Sequence, residues 1–301
     1  MRIATQNLLF LFNEGSHSHS GEKWEYSPTL IEKRINHYAT LFALIDADIL
    51  FLQELASEDM LQRIIACSGV KYSYFIATPD KNGVGNAVIY KKPGEWYTVP
   101  ATTALPVFNK RDKDTVGPRV FSRRDFVCVQ GTYLDAPLLM LGLHLKAGFL
   151  MGMKDAENKD MPMRDQVSAA DGLIRSEFFR FAQAKQARTV IDAFLAENPQ
   201  GNVVVAGDFN SRDGDVPLRI IQGVLKERDD VLANATDWLP EVERTSFGGR
   251  RLVDHILLSK SLATTIKNVQ ILNEGEKESK DIAPTPLAIK SDHPPIIVDV
   301  Q

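Results

Sequence analysis

Short apolar runs that end abruptly at a polar residue are the feature that most constrains the fold of this 301-residue chain. Their length suits buried β-strands better than helices. We therefore expect a protein rich in short buried strands. The runs occupy residues 3–6, 48–53, 85–90, 126–133, 138–145, 203–207, 252–258 and 296–300.

Two longer segments, residues 30–45 and 170–197, carry apolar side chains close to a 3.6-residue period and are predicted to be helices. Thr29 and Glu32, just after Pro28, fit a capping box at the start of the first helix. Many strands with few long helices favour two packed sheets with helices outside over a regular β-α barrel. The length allows one domain or two, and we expect a single domain over residues 1–301.

The charge, the cysteines and the apolar runs argue against several classes of protein. A net charge of −4 argues against a protein that coats nucleic acid by bulk positive charge. Residues 110–124 are locally basic, either a substrate contact or a solvated loop. Cys67 and Cys128 give no disulfide framework and are expected to be small buried hydrophobic residues. No signal peptide or membrane span is evident, so we expect a soluble cytoplasmic monomer.

Two stretches without periodicity are predicted to be loops. Residues 151–165 form either a mobile lid or a plain insertion, and residues 274–286 form an exposed connection.

Acids, amides and imidazoles sit at the ends of the apolar runs, where burial is costly unless they are paired or metal-bound. Singly, each has a plain explanation. Asp208 and Asn210 suit a self-bonded turn, His144 suits a hydrogen-bonded core histidine, and Asp292 can end a loop. Together they predict one shared polar site. The set is Asn7, Glu54, His144, Asp208, Asn210, Asp254, Asp292 and His293.

The order of these motifs resembles the endonuclease/exonuclease/phosphatase superfamily, from residue 7 to residue 293. Gly207-Asp208-Phe209-Asn210 alone is moderately specific, whereas the five motifs together are highly specific. They are Thr-Gln-Asn7, Leu-Gln-Glu54-Leu, Gly-Asp208-Phe-Asn210-Ser, Val-Asp254-His-Ile-Leu-Leu-Ser and Ser-Asp292-His293-Pro-Pro.

The resemblance implies an α/β fold, a four-layer α/β/β/α sandwich of two packed mixed sheets flanked by helices. It also implies that Glu54 is the main ligand of Mg²⁺ or Mn²⁺, helped by Asn7 and Asp292, because such ions prefer oxygen donors. His293 would then act as the acid or base and Asp254 would orient it. By the same resemblance, Asp208 would align or deprotonate the attacking water and Asn210 would donate to a phosphate oxygen.

Four further residues carry less specific predictions. His144 is similar to a second histidine of the deoxyribonuclease and sphingomyelinase branches, although no partner glutamate is evident in residues 72–80. Arg124 and Lys146 are either phosphate contacts or surface charges. His255 follows Asp254 and must point to the other face of a strand, so it is predicted to be a packing residue.

The motifs determine the reaction class better than the substrate. We expect a metal-dependent phosphodiesterase, first of all a DNA nuclease, whose substrate contacts lie in loops such as residues 110–124, 151–165 and 244–251. The alternative is a phosphatase or phosphodiesterase that acts on a phospholipid headgroup, an inositol phosphate or another small phosphoester. A binding module that has lost catalysis is the third hypothesis, and the intact polar set argues against it.

Overall fold

The computed structural model describes residues 1–12, 26–80, 83–92, 95–100, 102–103, 120–121, 124–152, 164–245, 251–272 and 288–301. Most of the basic segment 110–124, most of the loop 151–165 and all of the connection 274–286 lie outside the described residues. The same holds for residues 246–250 of the third predicted substrate loop. The predictions made for these segments remain predictions.

Each predicted apolar run overlaps a strand of the structure, and both predicted helices are present. In chain order the strands are β1 (Arg2–Leu11), β2 (Ile49–Leu55), β3 (Ser73–Ile76), β4 (Gly85–Tyr90), β5 (Trp96–Val99), β6 (Thr102–Thr103), β7 (Val120–Phe121), β8 (Phe126–Tyr133), β9 (Ala136–His144), β10 (Asn202–Asp208), β11 (Ala233–Asn234), β12 (Asp254–Leu258), β13 (Ile266–Ile271) and β14 (Ile296–Val300). The helices are α1 (Pro28–Ile45), α2 (Glu58–Ser68), α3 (Gln166–Glu197), α4 (Val216–Gln222) and α5 (Lys260–Ala263), with 3₁₀ turns at Ala235–Trp238 and Glu241–Glu243.

Two mixed six-stranded sheets form the centre of the fold. The first has the order β13-β14-β1-β2-β4-β3, and the second has the order β11-β12-β10-β9-β8-β5. Each sheet contains one parallel pair, β1 with β2 and β9 with β10, and its other neighbours are antiparallel. β6 and β7 form a separate two-stranded pair.

Three apolar clusters separate four layers. The middle cluster joins the inner faces of the two sheets, with Phe51 from one sheet and Met140 from the other among its members. A second cluster packs α1 and α2 on the first sheet, and a third packs α3 and α4 on the second. The order helix, sheet, sheet, helix confirms the predicted α/β/β/α sandwich.

The alternation of side chains along a strand explains why the central strands read as continuous apolar runs. In β10, Val203 and Val205 pack towards the helices, whereas Val204 and Ala206 pack towards the other sheet. A strand covered on both faces needs apolar side chains at every position.

Two predictions about single residues are wrong. The N-cap of α1 is Ser27, whose Oγ accepts from the backbone N–H of Leu30, and not Thr29. The helix starts earlier because Pro28 suits its first position. Cys67 is exposed, since the core-facing positions of α2 are Met60, Leu61 and Ile64.

Among the described residues, none of the helices combines the length and the apolar character that crossing a membrane requires.

Candidate active site

Polar residues at the strand ends converge where the two sheets face each other. β9 and β10 are parallel, and their last residues, His144 and Asp208, are paired. β12 is antiparallel to β10, so its first residue, Asp254, lies beside Asp208. In the other sheet, Asn7 of β1 pairs with the residue that precedes Glu54 in β2. The register of five strands therefore brings these side chains to one end of the sandwich.

His293 and Asp254 form a buried pair. Nδ1 of His293 lies 2.7 Å from Oδ2 of Asp254 and 4.0 Å from Oδ2 of Asp208. Burial lowers the pKa of His293, but the charges of Asp254 and then Asp208 outweigh burial and raise that pKa to about 10. Because Asp254 accepts the Nδ1 proton, Nε2 is the nitrogen left to meet a substrate.

Asp208 is held by two donors and is 1% exposed. Its Oδ1 accepts from the backbone N–H of Asn210 at 2.8 Å, and its Oδ2 accepts from Nδ2 of Asn7 at 3.1 Å. Burial and then the charge of Asp254 raise the pKa of Asp208, while His293 opposes them. A carboxylate with a raised pKa is a stronger base, which suits it to accept a proton from water near neutral pH.

Backbone amides orient Asn7 and Glu54. Oδ1 of Asn7 accepts from the N–H of Leu9 at 2.9 Å, and Oε2 of Glu54 accepts from the N–H of Phe10 at 3.0 Å. Glu54 itself has a φ of 61°, which is unusual for a residue with a side chain. Backbone strain of this kind often marks functional sites.

His144 lies beside both a carboxylate and a cation, and its Nε2 is 3.4 Å from Oδ2 of Asp208. Nη1 of Arg124 lies 2.8 Å from Nδ1 and 2.7 Å from Nε2 of His144. Arg124 is in turn 3.8 Å from Oδ2 of Asp80. Burial and then Arg124 lower the pKa of His144 well below its usual value, so its imidazole is neutral. A neutral imidazole beside an arginine is poorly suited to donate a proton as a general acid.

Lys146 and Asn210 lie on the same side of the site. Burial and then the charge of Arg124 lower the pKa of Lys146 to about 8. Its Nζ donates to the carbonyl of Ala147 at 2.7 Å. Nδ2 of Asn210 donates to the carbonyl of Leu145 at 3.1 Å, and an amide has a second N–H that can serve a phosphate oxygen.

The residues present fit a hard divalent ion. The carboxylate Oδ1 of Asp292 is buried without a hydrogen-bond partner, and burial raises the pKa of Asp292 to about 6. Such an oxygen suits a metal or a bound water. Within the described residues, Asp208, Asp254 and His293 form a group that could hold a metal ion. Their possible ligand atoms all lie within 4.8 Å of one another. Asn7 contacts this group through its hydrogen bond to Asp208. Oδ1 of Asp292 lies 4.0 Å from Nε2 of His293, and Oε1 of Glu54 lies 3.9 Å from Nε2 of His144.

Three residues near the site were not singled out from the sequence. Gln6 donates from Nε2 to the carbonyl of His293 at 2.7 Å. Arg180 of α3 donates from Nη1 to the carbonyl of Asn210 at 2.6 Å, and Asp80 adjoins Arg124. Gln6 stands directly before Asn7 in the first motif, which was a usable signal. Arg180 and Asp80 carry no such signal because they reach the site only through the tertiary fold.

His255 lies on the opposite face of β12 and is fully buried. Its Nε2 lies 2.8 Å from the carbonyl of Ser211, and its Nδ1 lies 3.0 Å from Nδ2 of Asn234. Its ring also meets the Phe209 ring edge-on. His255 thus packs behind the turn that carries Asp208 and Asn210.

Comparison with solved structures identifies the same architecture elsewhere. Truncated TDP2 of Caenorhabditis elegans has a TM-score of 0.56 at 16% identity, covering 99% of this chain and 96% of that chain. The human Nocturnin catalytic domain with bound sulfate anion has a TM-score of 0.57 at 17% identity, covering 100% and 94%. D. rerio TDP2 complexed with a single-strand DNA product has a TM-score of 0.54 at 16% identity, covering 99% and 97%.

No curated protein sequence matches this chain significantly. The model of the endonuclease/exonuclease/phosphatase family, by contrast, matches residues 4–293, a span that contains every residue of the site described above. Members of that family are divalent-metal-dependent phosphoesterases. The chain therefore belongs to the endonuclease/exonuclease/phosphatase family.

Proposed function

We propose that the chain is a divalent-metal-dependent phosphodiesterase that hydrolyses DNA. The observation that carries this proposal is the buried His293–Asp254 pair, 2.7 Å apart, with Asp208 paired to Asp254 across two strands. This arrangement supplies a cationic donor and a neighbouring base in one buried site. Hydrolysis of a phosphodiester needs both functions.

Asp208 is the base in this mechanism. It accepts a proton from water as the water oxygen bonds to phosphorus and the P–O bond to the leaving group breaks, and the leaving oxygen keeps the bonding electrons and takes a proton from solvent water. His293, protonated and oriented by Asp254, donates from Nε2 to a phosphoryl oxygen and stabilises the charge that develops there. Asn210 donates its second amide N–H to another phosphoryl oxygen.

Glu54, Asn7 and Asp292 are the proposed ligands of the ion, either Mg²⁺ or Mn²⁺. When bound, the ion polarises the phosphoryl group and neutralises developing charge. Phe10 donates to Oε2 of Glu54 and leaves Oε1 for the ion, whereas Oδ1 of Asn7 accepts from Leu9 and keeps its second lone pair for the ion.

Cations beside the site support a nucleic-acid substrate. Arg124 and Lys146 lie next to His144, and Arg124 is the last residue of the basic segment 110–124. Among proteins of this fold, D. rerio TDP2 holds a single-strand DNA product. A strand that passes the site would place flanking phosphates against these side chains.

A small phosphoester is the second candidate substrate, and the overall charge favours it. The chain has a formal net charge of −4 and a pI near 5.9, so no broad positive field draws a polyanion to it. In that case Arg124 and Lys146 would bind the charged groups of one small molecule.

One experiment separates the two candidates. The purified protein is incubated with supercoiled plasmid and, in parallel, with small phosphoesters, each with Mg²⁺, Mn²⁺ or EDTA, and with His293→Ala as the matched control. Metal-dependent nicking that the variant loses supports the nuclease. An intact plasmid beside metal-dependent turnover of a small phosphoester selects the second candidate, and no turnover of either class with either metal contradicts both.

A further inference from the structure

An irregular segment of β1 lies between the proposed metal ligands and the helix layer. Asn7 pairs with Gln53 and Leu11 pairs with Leu55, so β1 holds more residues than β2 over this stretch. Leu9 and Phe10 both have a φ of 48°. Side chains disfavour this left-handed region, and two consecutive residues in it need support from their surroundings.

The N–H groups and the carbonyl groups of this segment have different hydrogen-bond partners. On one side, the N–H groups of Leu9 and Phe10 donate to Asn7 and Glu54, as described above. On the other side, the carbonyl groups of Leu8, Leu9 and Phe10 point to α1. The conformation of three backbone units therefore decides where two metal-ligand side chains are held.

Arg34 of α1 binds all three carbonyl groups. Its Nη2 donates to the carbonyls of Leu8 at 2.7 Å and Leu9 at 2.6 Å, and its Nη1 lies 3.2 Å from the carbonyl of Phe10. The arginine is 0% exposed, and the rings of Tyr26 and Tyr38 each lie with their centroids 6.0 Å from its guanidinium carbon. The rigid fork of a guanidinium suits several acceptors at once, which a lysine ammonium does not reproduce.

We propose that Arg34 is a positioning residue of the metal site, acting on Asn7 and Glu54 through the backbone of residues 8–10. A buried cation in the apolar stripe of a helix, between Ile31 and Ile35, is otherwise costly. Residues that orient metal ligands typically contribute about 10-fold to 100-fold to metal affinity. This inference rests on the proposed assignment of Asn7 and Glu54 as ligands.

The test measures Mn²⁺ binding to the metal-free protein by the electron paramagnetic resonance signal of unbound Mn²⁺, without substrate. Arg34→Met is expected to weaken Mn²⁺ binding about 10-fold to 100-fold, and Arg34→Lys by less, because one ammonium replaces part of the fork. Tyr38→Phe, which removes a second donor to the carbonyl of Leu8, is expected to weaken binding only a few-fold.

Arg188→Met is the matched control. Arg188 also reaches from a helix to backbone carbonyls, those of Gln222 and Asp230, but these lie in another part of the fold. It is expected to lower the melting temperature and leave Mn²⁺ affinity unchanged. Equal Mn²⁺ weakening in Arg188→Met and Arg34→Met would show a general effect of stability and overturn the proposal.

Glu54→Gln separates the proposal from the assignment on which it rests. If Glu54→Gln loses Mn²⁺ binding while folded Arg34→Met keeps the wild-type affinity, Arg34 has no positioning role. If Glu54→Gln itself binds Mn²⁺ normally, the ligand assignment fails first. Should Arg34→Met not fold, unchanged affinity in both Arg34→Lys and Tyr38→Phe overturns the proposal.

Discussion

One added methyl group at Gly207 should reduce both stability and activity. It has a φ of 144° and pairs with Leu143 across the parallel β9–β10 ladder. A Cβ at this position would lie 1.9 Å from the carbonyl oxygen of Leu143 and 2.9 Å from its carbonyl carbon. An ordinary carbon–oxygen contact is about 3.3 Å. Gly207→Ala therefore has to separate the two strands by roughly 1 Å at this pair.

The loss of unfolding free energy in Gly207→Ala has two contributions. The disfavoured φ costs about 1–3 kcal/mol, and each ladder hydrogen bond that weakens costs about 1 kcal/mol. We expect Gly207→Ala to lose roughly 3–5 kcal/mol of unfolding free energy in urea titrations. Asp208 follows directly, and a displacement of about 1 Å in a reacting group can lower the rate about 100-fold. Metal-dependent hydrolysis of bis-p-nitrophenyl phosphate measures that loss.

Gly131→Ala is the control for this prediction. Gly131 lies in β8, and a Cβ there meets nothing within 4 Å. The variant should keep wild-type activity and match or slightly exceed wild-type stability, since glycine weakens a strand. If Gly207→Ala unfolds within about 0.5 kcal/mol of the wild type and retains its rate, the steric reasoning is refuted.

Three further predictions concern charge. Asp254→Asn should lower the pKa of His293 from about 10 in the metal-free protein. Because that folded pKa lies above the usual 6.5, the pair stabilises the fold fully below pH 6.5 and loses this contribution as pH rises through about 10. Imidazole NMR titration and melting curves against pH measure both effects, and an unchanged His293 titration would contradict the assignment. Asp208→Asn should reduce turnover about 10²-fold to 10⁴-fold, while the melting temperature of the metal-free variant changes little at pH 8, because removal of a buried charge offsets the loss of one hydrogen-bond acceptor. A clear drop in its melting temperature would argue that Asp208 stabilises the fold. Finally, if DNA is the substrate, its binding should weaken steeply between 50 and 200 mM salt, roughly in proportion to the phosphates contacted. Binding that is insensitive to salt would favour the small phosphoester.

The strands that sequence reasoning identified are those covered on both faces. β2, β4, β9 and β10 are almost continuously apolar, because one face meets helices and the other meets the second sheet, whereas β8 is apolar and buried only over residues 126–129. The strands β3, β5 and β13 were missed. Each is partly exposed, with little apolar run to mark it, and each lies at the edge of a sheet.

The site residues also divide into those that the sequence identified and those that only the structure revealed. Asp208, Asp254 and His293 occur in short motifs that are visible in the sequence, and the structure brings them together. The contact of Arg124 with His144 is not visible in the sequence, since the two residues come from different parts of the chain and meet only in the folded protein. No partner glutamate for His144 was evident in residues 72–80. The structure places Arg124 beside His144 and Asp80 behind Arg124, and Oδ2 of Asp208 lies 3.4 Å from Nε2 of His144.

Local sequence determined which segments are buried strands and which polar residues end them, because apolar periodicity and the cost of burying charge act over a few residues. Tertiary structure alone decided the distances between the site residues, their protonation states and the contacts that hold them in place. The raised pKa of His293 depends on Asp254 and Asp208, and the backbone that holds Asn7 and Glu54 depends on Arg34 of a helix in another layer. Electrostatic and hydrogen-bond energies of this kind depend on separation and burial in space, which spacing along the chain does not encode.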